Sequence, residues 1–458
     1  MLDPRGMHRR RLLQIGSLGL TGCSLPRMLA AETSARRSPR AKACILLYMD
    51  GGPSHIDLFD LKPDAPAEIR GPYQNIATTV AGTRVCEHLP RMAEQMHRVL
   101  QVRSVQHKQM VHDPAVYQML TGYKHVSSAG GLEVEETDLP HMACALASAD
   151  RRPAVMPKAI QIPDTMRMQA RVLPGQSAGI LGPSFDPFAV AISHAGVVAR
   201  PEFTRQPEVS PTRLASRSSL LTEFNARLGR LERTVQADRL NTFQQQALSI
   251  LAAPAVQTAF DLDREPDALR DRYGRHRHGQ SVLLARRLVE GGARFVTVYW
   301  GNEEQDWADG KTPQVANNPW DTHRNHFPLV AESLTPRADQ AFAALVADLA
   351  ERGLLDETLV VWMGDFGRTP RISSRWASRD HWPHAFTVLL AGAGIRGGAI
   401  HGRTGRHAAF VEEDPVTPAD LTATIFDALG LDPAAEVTTA TGQPHRLSTG
   451  RPVHEFFS

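Results

Sequence analysis

One apolar segment constrains the fold of this chain more than any other feature. Residues 358–363 read Thr-Leu-Val-Val-Trp-Met, and this continuous apolar run stops at Gly364, where polar residues follow at once. A short run without polar alternation is typical of a strand buried on both faces of a parallel sheet. Ligands of open α/β sheets bind at the carboxyl ends of strands. We therefore expect Asp365, directly after this strand, to face a functional crevice, with His381 nearby.

Several other segments show the same alternation of helical patterns and apolar strands. Helical spacing over 280–290 precedes an apolar run at 294–300, and an amphipathic pattern over 338–352 precedes the run at 358–363. This order favours an α/β fold with a doubly wound, mostly parallel sheet and helices on both faces. Other elements that we predict are strands at 43–49, 99–105 and 385–392, a helix within 111–122 that Gly122 stops, and a helix that opens at Thr417.

Size and composition narrow the class of protein. With 458 residues, 42% hydrophobic and 22% charged, the chain can bury a large core and has an ordinary soluble composition. A net charge of +2 gives no reason to expect a nucleic-acid partner. Nineteen histidines direct attention to a metal site, whereas the four cysteines contain no Cys-x-x-Cys pair and so argue against a zinc–thiolate site.

The N-terminal residues resemble an export signal. Residues 8–13 read His-Arg-Arg-Arg-Leu-Leu and precede an apolar stretch, which is similar to a twin-arginine signal. Residues 20–23 also resemble a lipobox, which would lipidate Cys23, although cleavage near 29–31 would discard that cysteine. We expect residues 1–31 to be the signal, 32–42 a linker, and 43–458 one domain with a helical insertion at about 210–275. The mature protein is then extracytoplasmic, either periplasmic or secreted, and contacts a membrane only if Cys23 is lipidated.

Acidic and histidine side chains follow several of the expected strands. Asp50 follows the first strand, and Asp321 and His323 form an Asp-x-His pair that can offer a carboxylate oxygen and an imidazole nitrogen to one ion. A single Asp after a strand is more often a turn or cap residue, so only the shared position of several such residues favours a metal site. The predicted metal ligands are Asp50, Asp321, His323, Asp365 and His381, and additional site candidates are Asp57, His55, His384, Asp380 and Arg368.

Two residues are candidates for the nucleophile. His112 is expected at the N-terminus of a helix, where backbone N–H groups attract an anion. Ser54 follows the first strand in the sequence Gly52-Pro53-Ser54-His55, which lacks the second glycine of a serine-hydrolase elbow. Ser54 therefore stays an alternative nucleophile.

Longer motifs resemble a known family. Residues 51–63 (GGPSHIDLFDLKP), 119–122 (MLTG), 320–323 (WDTH), 365–370 (DFGRTP) and 379–382 (RDHW) are similar to the bacterial family catalogued as domain of unknown function 1501. That family resembles a branch of the alkaline phosphatase and sulfatase superfamily, and the resemblance spans nearly all of the chain after the signal. It implies an alkaline phosphatase-like fold with a one-metal or two-metal site.

The resemblance also implies roles for individual residues. Asp50 matches the first Asp of the superfamily, Asp321 and His323 match its Asp-and-His loop, Asp365 its late Asp, and His381 its last His. Two positions depart from the pattern. His112 stands at the place of the sulfatase nucleophile and cannot become formylglycine, and Phe366 stands where the superfamily has a metal-binding His or Asn. One divalent ion (Zn, Ca, Mg or Mn) is therefore expected rather than two.

These features predict an exported, sulfatase-like metallohydrolase of phosphate or sulfate esters. Its partner would be a small anionic ester substrate, which a polysaccharide could carry. A catalytically silent binding or scaffold protein of the cell envelope is the second hypothesis, motivated by His112 and Phe366. A serine hydrolase that uses Ser54 is the third.

Overall fold

A computed structural model describes residues 39–163, 165–168, 171–193, 195–198, 254–300 and 319–458. The predicted export signal, most of the linker and residues 210–253 of the predicted helical insertion lie outside the described residues. Residues Arg40–Ser458 form one compact unit. No helix in the described part of the chain combines the length and apolarity needed to span a membrane.

The described residues form short and long strands that alternate with helices. The strands are β1 (Ala43–Met49), β2 (Asn75–Ala77), β3 (Arg84–Cys86), β4 (Val99–Val105), β5 (Ala159–Ile162), β6 (Arg167–Met168), β7 (Arg171–Val172), β8 (Phe188–Ala189), β9 (Phe295–Tyr299), β10 (Thr358–Gly364), β11 (Gly367–Arg368), β12 (His381–Trp382), β13 (Phe386–Ala391), β14 (Ile400–His401), β15 (Arg403–Thr404), β16 (Val411–Glu413), β17 (Glu436–Thr438) and β18 (Pro444–Arg446).

The helices cover the sheet and connect its strands. The α-helices are α1 (His55–Leu58), α2 (Ala67–Arg70), α3 (Pro90–Gln95), α4 (His112–Thr121), α5 (Met142–Ala149), α6 (Pro254–Ala259), α7 (Asp267–Tyr273), α8 (Arg277–Glu290), α9 (His326–Leu329), α10 (Thr335–Glu351) and α11 (Pro418–Ala428). A π-helical turn, Val330–Leu334, joins α9 to α10. Single 3₁₀ turns lie at Met96–Arg98, Gly179–Leu181, Pro183–Phe185, Leu262–Arg264, Leu355–Glu357 and His454–Phe456.

Eight of these strands form the central sheet, in the order β14-β4-β13-β10-β1-β9-β5-β8. β1 lies between β10 and β9 and is parallel to both. β13 runs antiparallel to its neighbours β10 and β4, while the other neighbouring pairs are parallel. The predicted mostly parallel sheet is confirmed, and the predicted strand at 385–392 is its antiparallel member.

Both faces of the sheet are buried, which explains why its central strands are apolar without alternation. Alternate side chains of β1 belong to two separate hydrophobic clusters. Ile45 and Leu47 share one cluster with residues of α3, α8 and α10, and Leu46 and Tyr48 share the other with residues of α4, α5 and α11. The predicted doubly wound arrangement, with helices on both faces, is therefore confirmed.

The predicted elements around the crevice also match the structure. Strands β1, β4 and β10 begin and end within one residue of the predicted bounds. Helix α4 lies within the predicted segment 111–122, and Gly122 follows its last residue as predicted. Thr417 caps α11 in a capping box with Asp420. The carboxyl ends of β1, β9 and β10 consequently lie side by side, and the loops that follow β1 and β10 meet there.

Candidate metal centre

The loops that follow the central strands are held together by backbone contacts. The N–H of Gly51 donates to Asp365 Oδ1 at 3.0 Å, and the N–H of Trp320 donates to the carbonyl of Asp50 at 2.9 Å. Gly51 has a φ of +106°, and a Cβ at this position would lie 2.4 Å from the backbone nitrogen of Asp321. Only glycine fits this close approach, and it lets the Asp321 loop pack on the end of β1.

His112 lies between two of the predicted ligands. It begins α4, where its Nδ1 atom is 2.5 Å from Asp365 Oδ2 and its Nε2 atom is 3.2 Å from Asp321 Oδ2. The ring is buried, and Nε2 makes no hydrogen bond with the described residues. The Asp321 contact is an ion pair without good hydrogen-bond geometry, and a buried imidazole nitrogen and carboxylate oxygen placed in this way could share a metal ion.

Two further histidines converge on the same carboxylate. His381 Nε2 and His323 Nε2 each lie 3.0 Å from Asp321 Oδ1, and the two Nε2 atoms are 2.8 Å apart. On the far side of the rings, His381 Nδ1 is 2.8 Å from the carbonyl oxygen of Met110, and His323 Nδ1 is 2.8 Å from Asp380 Oδ1. The structure thus brings together residues from loops that are far apart in sequence.

The residues present suit a metal ion. One ligand atom each from His112, Asp321 and His381 lie within 4.8 Å of one another, which makes these side chains a group that could hold an ion. Imidazole nitrogen and carboxylate oxygen are common ligands of zinc and related transition metals. Within the described residues this group contains two of the five predicted ligands, and it adds His112, which the sequence indicates as a nucleophile.

Arg368 fixes the orientation of Asp321. Its guanidinium is completely buried and donates to Asp321 Oδ1 at 2.9 Å and to the carbonyls of Gly51, Gly52 and Trp320. An arginine that binds three carbonyls and one carboxylate ties the loops together and has little freedom to move. Arg368, which the sequence indicates only as an additional site candidate, therefore lies in direct contact with the centre.

The electrostatics of the centre favour added positive charge. Burial alone would lower the pKa of His112, but the carboxylates of Asp321 and Asp365 outweigh burial and raise it to about 9. Burial would raise the pKa of Asp321, yet the charges of His112 and Arg368 hold it well below its usual value. The two carboxylates that favour a proton on His112 also favour a metal cation bound beside it.

Phe366 packs against the histidines of the centre. Its ring is buried, with its centroid 4.9 Å from that of His112 and 4.4 Å from that of His381. An aromatic ring supplies no metal ligand, so this position contributes packing rather than coordination. It restricts the orientation of both imidazole rings.

Ser54 and Asp57 belong to a second buried polar cluster. Asp57 accepts hydrogen bonds from Ser54 Oγ at 2.5 Å, from His326 Nε2 at 2.9 Å, and from Arg379 Nε and Nη2 at 2.7 and 2.9 Å. Burial would raise the pKa of Asp57, but the Arg379 and His326 contacts lower it below its usual value. The Ser54 hydroxyl therefore donates its hydrogen bond to the Asp57 carboxylate. Among the described residues it makes no hydrogen bond to a histidine that could act as its base.

The other candidates occupy different places around the centre. Asp50 is buried at the end of β1, outside the group of converging ligand atoms. His55 Nε2 lies 2.9 Å from the carbonyl oxygen of Ala408, and His384 packs on Trp382. Asp380 contacts the centre only through His323 Nδ1.

Four participants were not identified from the sequence. His107 Nε2 donates to the carbonyl oxygen of Asp365 at 2.6 Å, because its Nδ1 accepts from the Gln109 backbone. His107 follows β4 at the same edge of the sheet, and that position could have indicated it. His326, Arg379 and the Met110 carbonyl have no comparable signal, because their partners lie far away in sequence.

The fold of this chain is similar to solved structures of low sequence identity. No curated protein matches it. A phosphonate monoester hydrolase, SpPMH from Silicibacter pomeroyi, aligns over 92% of this chain and 76% of its own, with 13% identity and a TM-score of 0.39. The PsFucS1 sulfatase from Pseudoalteromonas sp. aligns over 93% and 72%, with 13% identity and a TM-score of 0.38.

A third solved structure is the C-terminal periplasmic domain of EcEptC from Escherichia coli, in complex with Zn. It aligns over 92% of this chain and 96% of its own, with 11% identity and a TM-score of 0.33. All three TM-scores are below 0.5, so these likenesses support no conclusion about activity. The family itself is shown by sequence: a family model matches residues 41–457, and the chain belongs to the family described as Protein of unknown function (DUF1501).

Proposed function

We propose that this protein is an exported, metal-dependent hydrolase of anionic esters, either phosphate or sulfate esters, including those carried on carbohydrates. The observation that carries the proposal is the convergence of His112, Asp321 and His381 ligand atoms within 4.8 Å. This group lies at the carboxyl ends of parallel strands, where α/β proteins bind their substrates.

The residues of the centre have distinct tasks in this proposal. A bound divalent ion supplies Lewis-acid polarisation of the ester and activation of water. Asp321 and the histidines would hold the ion, and Arg368 keeps Asp321 in one orientation and favours its ionised form. The buried position of His112 and Asp321 limits access of bulk water and strengthens the electrostatic interactions inside the centre.

Export is the part of the proposal that depends on sequence alone. The basic cluster at residues 8–11 and the apolar stretch after it support a twin-arginine signal. Cell fractionation of the full chain tests this, with replacement of Arg9 and Arg10 by Lys as the comparison. Unchanged extracytoplasmic accumulation of that variant would contradict twin-arginine export.

The reaction is tested on protein purified after native export. We expect about one bound divalent ion per chain by elemental analysis, and turnover of p-nitrophenyl phosphate or p-nitrophenyl sulfate that a chelator abolishes. Asp321→Asn should lose both the ion and the turnover. Asp356→Asn is the matched control, because Asp356 is an exposed carboxylate just before the amino end of β10. Absence of metal and of turnover with any divalent ion would refute the proposal.

A second candidate function is a catalytically silent binding protein of the cell envelope. Phe366 favours it, because its apolar ring packs against both His112 and His381 at the position where the superfamily resemblance implies a metal ligand. This alternative expects Asp365→Ala to leave the function of the protein in the cell unchanged. A cellular defect in that variant, at normal protein abundance, would contradict the alternative.

A further inference from the structure

The orientation of three imidazole rings is fixed by their Nδ1 atoms. In each ring, Nδ1 faces an oxygen that can only accept a hydrogen bond. The pairs are His112 with Asp365 Oδ2 at 2.5 Å, His323 with Asp380 Oδ1 at 2.8 Å, and His381 with the carbonyl oxygen of Met110 at 2.8 Å. A neutral imidazole has one N–H, and these contacts place it on Nδ1 in all three rings.

The same assignment leaves a lone pair on each Nε2 atom. All three Nε2 atoms point at one carboxylate: those of His323 and His381 lie 3.0 Å from Asp321 Oδ1, and that of His112 lies 3.2 Å from Asp321 Oδ2. The Nε2 atoms of His323 and His381 are also only 2.8 Å apart. Lone pairs this close to one another and to a carboxylate repel unless a positive charge is shared among them.

A metal dication is the ligand that satisfies this arrangement with neutral rings. The alternative is added protons on the rings, which would crowd imidazolium ions, one of them buried, around one carboxylate that already binds Arg368. Metal-bound histidines characteristically donate their other ring N–H to a carboxylate or a backbone carbonyl, which is the pattern of all three rings here.

We propose that the centre binds one transition-metal dication of the zinc type. Its ligands are Nε2 of His112, Nε2 of His381 and the carboxylate of Asp321, which converge within 4.8 Å, and Nε2 of His323, 3.0 Å from Asp321 Oδ1 but outside that group, is the fourth ligand. Asp365 is then a positioning residue that orients His112, and Asp380 plays the same part for His323. His112 is a ligand and not a nucleophile. Three imidazoles and one carboxylate suit zinc and its neighbours, whereas calcium and magnesium require mostly oxygen ligands. Zinc can expand to five ligands during a reaction, which leaves a position for the ester or water of the proposed function.

Phe366 supports a single ion. It occupies the position where the superfamily resemblance implies a second-site ligand, and its ring packs against two of the three coordinating rings. The inference deepens the proposed function and rests on it in taking this centre as the reaction site. The ion and its ligands can nevertheless be measured without any turnover.

The test measures metal binding and location directly. Metal-free protein is titrated with Zn²⁺ against a chromophoric chelator, and Co²⁺ serves as the spectroscopic substitute. We expect His112→Gln and His323→Gln each to weaken Zn²⁺ binding at least about tenfold and to alter the Co²⁺ absorption. Asp365→Asn should weaken binding by about 10–100-fold, as is typical when the partner of a metal-bound histidine is removed. The control is His384→Gln, because His384 lies on the same loop as His381 but outside the centre.

A crystal structure of the Zn²⁺-loaded full chain removes any dependence on variants that fail to fold. Anomalous scattering at the zinc edge should show one ion in contact with all three Nε2 atoms. The inference is overturned if wild-type protein binds neither Zn²⁺ nor Co²⁺, if the ion contacts Asp365 and not His112, or if His112→Gln binds Zn²⁺ like wild type. An ion bound by all three histidines in a protein without ester turnover would refute the proposed function but not this inference. Ester turnover by a protein whose ion does not contact His112 would refute this inference but not the proposed function.

Discussion

Replacement of Arg379 by Met tests the buried polar cluster that holds the His381 loop. Arg379 and Asp57 are fully buried, and the guanidinium donates two hydrogen bonds to the carboxylate, at 2.7 and 2.9 Å. It also donates to the carbonyls of Ile69, Thr369 and Pro370. Arg379→Met therefore leaves a buried carboxylate without its cation and three carbonyls without a donor.

The expected cost follows from burial of the pair. Removing one partner of a buried ion pair destabilises a protein by about 3–5 kcal/mol, because the other charge stays buried and uncompensated. Asp57 keeps its hydrogen bonds from Ser54 and His326, which limits the cost, but the three carbonyls that lose their donor move it toward the upper end of that range. Folded proteins are stable by only about 5–15 kcal/mol, so the variant loses a large part of its stability.

The assay is urea unfolding followed by tryptophan fluorescence, with the free energy of unfolding compared among variants. Arg375→Met is the matched control, because Arg375 lies on the same loop but is exposed and stacks on Trp376 at 4.2 Å. A surface substitution of this type changes stability by no more than about 0.5 kcal/mol. The double variant Asp57→Leu with Arg379→Met removes both charges, and it should be more stable than Arg379→Met alone.

Two results would refute this reasoning. One is a loss of stability in Arg379→Met no larger than that in Arg375→Met. The other is a double variant whose loss of stability relative to wild type equals the sum of the losses in Asp57→Leu and Arg379→Met, which would show that Asp57 and Arg379 act independently. If Arg379→Met does not fold, Arg379→Lys keeps the charge and gives the smaller effect needed for measurement.

Three further predictions address the rival nucleophile, acid stability and a backbone position. Ser54→Ala should retain ester turnover, and a fluorophosphonate probe should not label wild-type protein, because the buried Ser54 hydroxyl donates to Asp57. Loss of turnover in folded Ser54→Ala would support the serine hydrolase. Burial lowers the pKa of His141 to about 3 from an unfolded value near 6.5, so the protein loses stability as the pH falls between these values. Between pH 7 and pH 5, the free energy of unfolding in urea should fall by about 2 kcal/mol more for wild type than for His141→Asn. Equal losses in the two proteins would contradict the prediction. Gly392→Ala should lower the free energy of unfolding by at least about 2 kcal/mol more than Gly353→Ala in the same assay. Both glycines have positive φ, but only at Gly392 would the added Cβ meet backbone oxygens, with that of Thr358 at 2.1 Å. Equal losses would contradict this steric explanation.

Strand positions were predictable because the central strands are buried on both faces. Continuous apolar runs with a glycine or an Asp-Gly at the end leave little choice, and β1 and β10 match their predicted positions. The direction of β13 was not predictable from its run at 386–391, because a strand buried on both faces has the same residue pattern whether it is parallel or antiparallel.

The sequence also predicted that most of the candidate site residues lie at one edge of the sheet. Asp50, Asp321, Asp365 and His381 were expected there because each follows a predicted strand or lies in a loop nearby, and the structure has their loops in contact. It could not separate the side chains whose ligand atoms converge from those that hydrogen-bond to them. Asp365, expected as a ligand, has its two oxygens at the Gly51 N–H and at His112 Nδ1.

The sequence by itself thus determined the sheet, the edge at which its loops gather and the residue types available for an ion. Only the tertiary structure decided which nitrogen of each histidine faces Asp321, because that depends on acceptors such as Asp365, which lies 253 residues from His112. Hydrophobic burial is recorded locally as a periodic pattern of residues. The orientation of an imidazole is set by hydrogen-bond partners that only folding brings together.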